Sequence, residues 1–563
     1  MTDQPTSSRR TVLKTAALAA ISTGPASLLS STMDPTAAFV SLLRHPDLVR
    51  AFGPGEHEIQ VQMAGQGRWT AGTAEIETTV HPDHVAVSMR GNGISRIQLR
   101  WRGDLRSIKH FLGDHWERSY ADLEWRGHAP NRVMPWYFMA SDGQRTNAYG
   151  VRTGAGSMCF WSADAEGISL WADVRSGGVP VVLGERTLSV ADVICRQGAK
   201  GENAFAATRA FCHQMCQAPR IPAKPVYGTN DWNYAYGNNS AELIAGVSGL
   251  ISELSPDTDN RPYSVIDEGW AMGPYSGNFG HGPWVGNPRF GDMEAFAHRL
   301  QGLGVRPGIW FRPLTPLPDT PASWKLARAH EYLDPTVPEV IEHVASEIKK
   351  LVGWGYELVK HDFTSWDLFG RWGFEMGSSV TSDGWKLHDG SRTNAEVLTH
   401  LYKTIREAAG DARLIGCNTV SHLATGYHEI QRTGDDTSGR SWNRNRRMGV
   451  NTLAFRAAQH GSFYLVDPDI VSITKAVPWS LVEQWLRLVS ESGVALFVAI
   501  EPSVIEPKHR EALKKAFALA AKQQPIGEPL DWMENLCPSH WKLLGKTTEF
   551  AWMGESGAWP FSD

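Results

Sequence analysis

Carboxylates follow two apolar segments of the sequence, at the point where each segment becomes polar. Asp362 ends YELVKHD (356–362), and Asp435 and Asp436 end YHEIQRTGDD (427–436). Both segments have the pattern of buried strands. In barrels of eight parallel strands and eight helices, the carboxyl ends of the strands carry the catalytic groups. Two carboxylates on different strand ends could act as nucleophile and proton donor in the cleavage of a glycosidic bond.

The residues beside these carboxylates refine the roles that each could take. Lys360 lies two residues before Asp362, so both side chains should point to the same side of the strand. The Lys360 ammonium would lower the pKa of Asp362 and could donate a hydrogen bond to a sugar hydroxyl. Asp435 and Asp436 should point to opposite sides if both belong to the strand, so that only one of them would face the site.

The elements that would position these residues alternate between strands and helices after Pro225. Amphipathic helices are predicted at 338–355, 395–410 and 479–493, and the connection 419–427 is too short for a helix. The sequence has no Gly-rich phosphate loop after the first strand, which a doubly wound sheet would have. Residues 225–524 are therefore predicted to form an α/β (β/α)₈ barrel. Its strands are expected at 225–232, 261–270, 306–313, 356–363, 412–419, 427–436, 462–469 and 495–500.

The sequence before the predicted barrel has a different pattern of apolar and polar residues. Between 38 and 220, short alternating runs such as HVAVSMRG (84–91) are separated by Gly, Asp and Asn. This pattern predicts an antiparallel β-sandwich. The segment 525–563 is long enough for only a few strands, so a short C-terminal β extension is expected.

Composition excludes several classes of function. The 563 residues have a net charge of -5, which offers no basic field for nucleic acid or anionic membrane surfaces. The 23 tryptophans supply flat faces that pack against sugar rings as well as filling cores. Six scattered cysteines form neither a disulfide framework nor a metal motif. No metal or organic cofactor is predicted, and the sequence does not decide between a monomer and a homo-oligomer.

The N-terminus resembles an export signal. SRRTVLK (8–14) precedes a mildly apolar run that Gly24 and Pro25 interrupt, so residues 1–32 are predicted to be a twin-arginine signal peptide of a periplasmic or secreted protein. Replacing Arg9 and Arg10 together by lysine is therefore expected to leave the protein in the cytoplasm, as cell fractionation would measure. Unchanged export would instead indicate the general secretory route.

Six segments, in order, resemble the α-galactosidase (melibiase) group, glycoside hydrolase families 36 and 27. The resemblance covers roughly 225–500, and the preceding sandwich is also expected for family 36. Two residues depart from it: Glu268 replaces the second Asp of the strand-two signature, and Arg312 replaces the Glu of the WFEP motif. The short C-terminus also departs from typical family 36 members. The segments are VIDEGW (265–270), GPWVGNPRFGDM (282–293), GVRPGIWFRP (304–313), GYELVKHD (355–362), IGCN (415–418) and YLVDPDI (464–470).

The resemblance implies roles for particular residues. Asp362 corresponds to the family's nucleophile. The family 36 pattern aligns the proton donor with Asp435, whereas counting four residues from Arg432, as in family 27, selects Asp436; the following Thr437 favours the first alignment. The residues expected to bind the substrate or surround it are Asp267, Glu268, Lys360, Trp232, Trp270, Trp284, Trp310, Cys417, Arg432, Asp436, Asp467 and Asp469.

The expected activity is that of a retaining enzyme that releases a terminal galactose-like sugar from a glycoside or oligosaccharide. Three alternatives stay open at this point. A β-L-arabinopyranosidase or a transglycosidase of the raffinose-synthase kind would use the same intermediate. A carbohydrate-binding protein on a decayed barrel would not need the set formed by Lys360, Asp362 and Asp435.

Overall fold

The structure, a computed structural model, describes residues 38–273, 282–554 and 557–559. The predicted signal peptide at 1–32 lies outside these residues and stays a prediction. Within the described ranges, no helix is both long enough and apolar enough to cross a membrane.

The chain up to residue 196 is built from antiparallel strands. Within the described residues, one sheet has the order β2-β1-β7-β13-β12-β9, a second has the order β3-β4-β5-β6-β16-β11-β10-β8, and β14 pairs with β15. In β6, Val85, Val87 and Met89 are buried while the residues between them are partly exposed, so alternation directs one face into the core. The strands are β1 (Leu48–Phe52), β2 (Glu58–Ile59), β3 (Val61–Gly65), β4 (Arg68–Ala71), β5 (Ala74–Val80), β6 (Val85–Arg90), β7 (Arg96–Arg102), β8 (His110–Gly113), β9 (Met134–Pro135), β10 (Tyr137–Ser141), β11 (Thr146–Val151), β12 (Met158–Asp164), β13 (Gly167–Asp173), β14 (Arg175–Ser176), β15 (Val179–Pro180) and β16 (Leu188–Arg196).

A parallel sheet follows and confirms the predicted barrel. Its order among the described residues is β23-β22-β21-β20-β19-β18-β17-β25-β24, and neighbouring strands are parallel. Val265, Leu358 and Ile415 belong to an apolar cluster to which several barrel strands contribute, as expected for a filled barrel interior. The strands are β17 (Tyr227–Asn230), β18 (Tyr263–Ile266), β19 (Arg306–Phe311), β20 (Leu358–His361), β21 (Arg413–Gly416), β22 (Ile430–Arg432), β23 (Leu465–Asp467), β24 (Ile470–Ile473) and β25 (Leu496–Ile500).

The seventh barrel strand is bent, a feature that the sequence pattern does not predict. Its first half, β23, pairs with β22, and its second half, β24, pairs with β25. Between the halves, Asp469 has a φ of 71°, a conformation that non-glycine residues seldom adopt. The Ala495 N–H donates to the Val466 carbonyl at 3.0 Å, so the eighth strand also contacts the first half. The bend therefore closes the barrel, with Asp467 at the end of the first half and Asp469 immediately before the second.

The helices cover the barrel as the periodicity predicts. In α5, Val340, Val344, Ile348 and Leu351 are buried and recur every three or four residues, which places them on one face. The prediction that 419–427 holds no helix is wrong: α9 forms a single turn there. The helices are α1 (Ala204–Met215), α2 (Trp232–Ala235), α3 (Ala241–Leu254), α4 (Met293–Gly302), α5 (Pro338–Gly353), α6 (Thr364–Phe369), α7 (Gly373–Met376), α8 (Asn394–Ala409), α9 (Ser421–Ala424), α10 (Trp442–Arg444), α11 (Thr452–Arg456), α12 (Trp479–Glu491) and α13 (Pro507–Ala520).

The C-terminal part contributes a small antiparallel sheet of β26 (Glu528–Pro529), β27 (His540–Leu543) and β28 (Lys546–Glu549). It lies beside the segment that follows the sixth barrel strand, where α10 continues into a π-helix over Asn445–Asn451. The Trp442 indole donates to the Trp552 carbonyl at 2.6 Å, and Asn451 donates to the Leu536 carbonyl at 2.7 Å. The extension therefore supports a segment close to Asp435 and Asp436.

Candidate active site

A cavity of about 250 Å³ opens at the carboxyl ends of the barrel strands. Its volume is just below the range of roughly 300–1,000 Å³ that is typical of small-molecule sites. This size suits one monosaccharide unit better than a longer chain. The cavity is lined by Arg118, Tyr120, Trp232, Asp267, Glu268, Trp310, Lys360, Asp362, Phe363, Trp372, Phe374, Asp435 and Asp436.

Asp362 lies directly after β20 and is held by three donors. Its Oδ2 accepts from the Trp310 indole at 3.1 Å, and its Oδ1 accepts from the backbone N–H groups of Phe363 at 2.8 Å and Asn418 at 2.9 Å. Phe363 has a φ of 64°, a strained conformation that turns the chain sharply behind the carboxylate. The carboxylate therefore has a fixed orientation in the wall of the cavity.

Lys360 also lines the cavity, but its partner is Asp267 rather than Asp362. The Lys360 Nζ lies 2.6 Å from Asp267 Oδ2, which also accepts from the Asn230 amide at 2.7 Å. Burial disfavours the charged form of Lys360, but Asp267, together with the other negative groups around it such as Asp362, outweighs burial and raises the lysine pKa. Lys360 thus stays an ammonium. Behind it, burial and the charge of Asp267 raise the pKa of Asp231 to about 7.

Glu268 has a different electrostatic setting from its neighbour Asp267. Burial, together with the negative charges of Asp267 and Asp362, raises the pKa of Glu268 to about 8, although Arg312 opposes this rise. At neutral pH its carboxyl group therefore keeps a proton and can donate a hydrogen bond. Arg312 pairs with the buried Asp367, with 2.6 Å between Nη2 and Oδ1.

Asp435 and Asp436 lie beyond the end of β22, so the alternation expected for a strand does not apply and both side chains line the cavity. Asp435 Oδ1 lies 2.8 Å from Arg118 Nη2, and Asp435 Oδ2 accepts from Arg444 Nη2 at 2.8 Å. Asp436 Oδ1 lies 3.1 Å from Arg432 Nη2. Its Oδ2 has no hydrogen-bond partner among the described residues. The side chain of Asp436 is 34% exposed, against 20% for Asp435.

The four candidate tryptophans divide into two pairs. Trp232 and Trp310 line the cavity. Trp270 and Trp284 do not; they are buried, with ring centroids 5.9 Å apart, and the Trp270 indole donates to the Trp310 carbonyl at 2.9 Å. The expectation that Trp270 and Trp284 form sugar-contacting walls is therefore wrong, because their rings pack beneath Trp310.

Four other expected ligands also lie outside the cavity lining. Cys417 is buried, and its Sγ accepts from Arg432 Nη1 at 3.4 Å. Arg432 Nη1 lies 3.0 Å from Asp469 Oδ1, and Asp469 Oδ2 accepts from the Thr437 N–H at 2.6 Å. Burial raises the pKa of Asp467 to about 6. These residues form a buried network that holds the segment of Asp435 and Asp436 against the seventh strand, rather than contacting a ligand in the cavity.

The lining residues that come from outside the barrel strands are not predicted by the sequence patterns. Arg118 and Tyr120 belong to the sandwich, in the connection between β8 and β9. Trp372 and Phe374 come from the connection after β20, where the rings of Tyr120 and Phe374 lie 4.8 Å apart. Arg118 lies more than 300 residues before Asp435, so no local signal in the sequence could have paired them.

The cavity lining therefore combines carboxylates with aromatic side chains. Five of the lining residues are acids, and Arg118 and Lys360 are the cations that line it. Within the described residues, no group of three or more His, Cys, Asp or Glu side chains could hold a metal ion. Such a site can bind a polar ring, attack it with a fixed carboxylate and exchange protons with it.

Comparisons with known proteins agree on the architecture. No protein-family model matches the sequence, and no curated protein matches it. An α-galactosidase from Thermus thermophilus, solved in complex with p-nitrophenyl α-D-galactopyranoside, has a TM-score of 0.58 and 16% identity, over 89% of this chain and 98% of that one.

Two further solved structures share the fold. A family 36 α-galactosidase from Geobacillus stearothermophilus has a TM-score of 0.53 and 11% identity, over 84% of this chain and 73% of that one. An α-galactosidase from Lactobacillus brevis has a TM-score of 0.55 and 12% identity, over 84% and 70%. This chain, a sandwich followed by a (β/α)₈ barrel, therefore has the fold of the family 36 α-galactosidases.

Proposed function

We propose that the protein is a retaining exo-glycoside hydrolase that releases a non-reducing terminal galactose-like sugar. The observation that carries this proposal is the position of Asp362, which shares a cavity sized for one sugar unit with Asp435 and Asp436. A retaining glycosidase needs one ionised carboxylate and one carboxyl group that can donate a proton. Solved structures with the same fold are α-galactosidases in complex with p-nitrophenyl α-D-galactopyranoside and with stachyose, which supports the choice of sugar.

The proposed reaction has two displacements. Asp362 attacks the anomeric carbon and forms a glycosyl ester, while the bond to the leaving oxygen breaks and the acid gives that oxygen a proton. The same acid, now ionised, then takes a proton from water as the water attacks the ester, which frees Asp362. The donors from Trp310, Phe363 and Asn418 keep the Asp362 oxygens oriented throughout.

The contacts favour Asp436 as the proton donor, whereas the family 36 sequence pattern favours Asp435. Both oxygens of Asp435 are held by arginines, and a carboxyl group that protonates would lose one of these ion pairs. Asp436 has one oxygen, Oδ2, without a partner among the described residues, and it is the more exposed of the two acids. A free oxygen can carry the proton toward the substrate without breaking an existing contact.

A screen of aryl glycosides tests the proposed activity. Aryl α-galactoside, β-L-arabinopyranoside, α-glucoside and α-N-acetylgalactosaminide would be compared, and NMR would determine the anomer released first. Hydrolysis of the first or second with retention supports the proposal. No turnover of any of them, combined with measurable sugar binding, would favour the carbohydrate-binding alternative. Transfer to added sucrose in preference to water would identify a transglycosidase.

Glu268 is proposed to set the preference between sugars. Its carboxyl group extends one C–C bond, about 1.5 Å, farther than an aspartate would. A β-L-arabinopyranoside has the ring configuration of an α-D-galactoside but lacks C6. The longer side chain of Glu268 should therefore lower kcat/KM less for the arabinopyranoside than for the galactoside. A group of this size shifts discrimination by roughly 1–3 kcal/mol.

Glu268→Asp is therefore expected to raise the ratio of kcat/KM for α-galactoside to that for β-L-arabinopyranoside by about tenfold or more. Initial rates of both aryl substrates with wild type and variant give this ratio directly. An unchanged ratio, with both activities retained, would mean that Glu268 does not select the sugar.

A further inference from the structure

The sandwich contacts the barrel directly at the two neighbouring acids. The Ser119 N–H donates to the Thr433 carbonyl at 2.8 Å, and the Asp435 N–H donates to the Ser119 carbonyl at 3.0 Å. Gly434, between these residues, packs closely against the helix behind it, because a Cβ there would lie 2.4 Å from the Met448 carbonyl oxygen. The backbone of the sandwich segment is thus joined to the segment that carries both acids.

Arg118, the residue before Ser119, extends from this junction into the cavity wall. Its side chain is only 7% exposed, and its two terminal nitrogens lie 2.8 Å from Asp435 Oδ1 and 3.5 Å from Asp436 Oδ1. The guanidinium also lies 5.7 Å from the ring centroid of Trp372. One cation from the sandwich is therefore shared by both acids.

The adjacent Glu117 anchors the same segment on the side of Asp362. It is fully buried, and it accepts from the Asn418 amide at 2.8 Å, from the Gly373 N–H at 2.9 Å and from the Ser365 hydroxyl. The backbone N–H of Asn418 in turn donates to Asp362. Neighbouring residues of the sandwich thus support the opposite sides of the cavity, and Arg118 has little freedom to move.

The charges around Asp436 come from four segments. The positive charges are Arg432 in β22, Arg118 in the sandwich and Lys360 in β20. The negative charges are Asp435 and, at the bend of the seventh strand, Asp469. Burial opposes the ionisation of Asp436, but the three cations outweigh it and lower the pKa of this carboxyl group. Binding of a sugar removes water and works in the opposite direction, toward the protonated form.

We infer that Arg118 is a positioning residue of the reaction: it orients Asp435 and Asp436 from the sandwich and sets which of them can carry the proton. Its ion pair at 2.8 Å fixes the orientation of the Asp435 carboxylate. Its contact with Asp436 is longer, at 3.5 Å, and is made with Oδ1, so Oδ2 of Asp436 is left outside the ion pair. This inference rests on the proposed glycosidase activity and adds to it that the barrel strands alone do not complete the site.

The test compares Arg118→Gln and Arg118→Lys with wild type, using a disaccharide substrate with a poor leaving group. Removing a positive charge beside a carboxyl group raises its pKa, so the descending alkaline limb of the kcat profile, which reports the proton donor in the substrate complex, should move up by about one pH unit in Arg118→Gln. Loss of orientation should lower the maximum of the profile by about tenfold to a hundredfold. Arg118→Lys should restore the position of the limb, because it restores the charge, but only part of the rate.

The matched control is Asp114→Asn, four residues away in the same sandwich segment. Asp114 pairs with the buried Arg456 at 2.8 Å and does not line the cavity. Its replacement should lower the melting temperature without moving the alkaline limb. If Arg118→Gln lowers the rate but leaves the limb where it is, or has no effect, the inference is overturned. Wild type that cleaves no glycoside would instead refute the proposed function, before any variant is compared.

Discussion

Asp362→Gly is expected to lower kcat/KM for an aryl α-galactoside by about four to six orders of magnitude, because it removes the carboxylate proposed to form the glycosyl ester. Asp362→Asn should lose a similar factor while keeping an oxygen that accepts from Phe363 and Asn418. Its melting temperature should therefore stay closer to that of wild type. Initial rates and thermal unfolding of both variants measure these effects.

Chemical rescue distinguishes loss of a nucleophile from general damage. In Asp362→Gly the space of the carboxylate is open, so added azide should attack the anomeric carbon and yield a glycosyl azide of inverted configuration. A matched control is Asp367→Asn, which alters a buried carboxylate that pairs with Arg312 but does not line the cavity. The control should lose stability and show no azide product. Rescue of the control, or labelling of another carboxylate by a 2-deoxy-2-fluoro glycoside, would contradict the assignment.

The sequence predicted Asp362 and its strand because the relevant information is local. An apolar strand that ends in a carboxylate is visible in eight consecutive residues, and β20 ends immediately before Asp362. The bend of the seventh strand was not visible, since Pro468 and Asp469 resemble an ordinary strand end until the pairing of β24 with β25 is known. Local pattern predicts where a strand lies, but pairing decides where it changes direction.

The walls of the cavity were harder to predict than its acids. Trp270 and Trp310 both lie at or just beyond the end of a barrel strand, yet the Trp310 ring lines the cavity and the Trp270 ring packs beneath it. Sequence patterns do not distinguish these positions, because both rings satisfy the same burial preference. Arg118 is even harder to predict from the sequence, because its position in the cavity depends on how the sandwich packs against the segment after β22.

Alanine replacement of the two neighbouring acids should separate their roles. Protonation matters most when the leaving group is a poor one, so the loss caused by removing the proton donor should depend on the substrate. We expect Asp436→Ala to slow cleavage of a disaccharide by about a hundredfold to ten-thousandfold and to affect an activated aryl glycoside far less. Without the acid, the ester of Asp362 would also hydrolyse slowly, and azide should accelerate its breakdown.

Asp435→Ala should lower kcat/KM for the disaccharide and for the activated aryl glycoside by similar factors. It removes the ion pairs with Arg118 and Arg444 but leaves Asp436 in place, so orientation is lost while the proton donor remains. The measurement is the ratio of kcat/KM for the disaccharide to that for the aryl glycoside, in wild type and in both variants. A large fall of this ratio in Asp435→Ala, with little change in Asp436→Ala, would assign the proton to Asp435, as the family 36 pattern predicts. It would also mean that the two arginine contacts rearrange when the substrate binds.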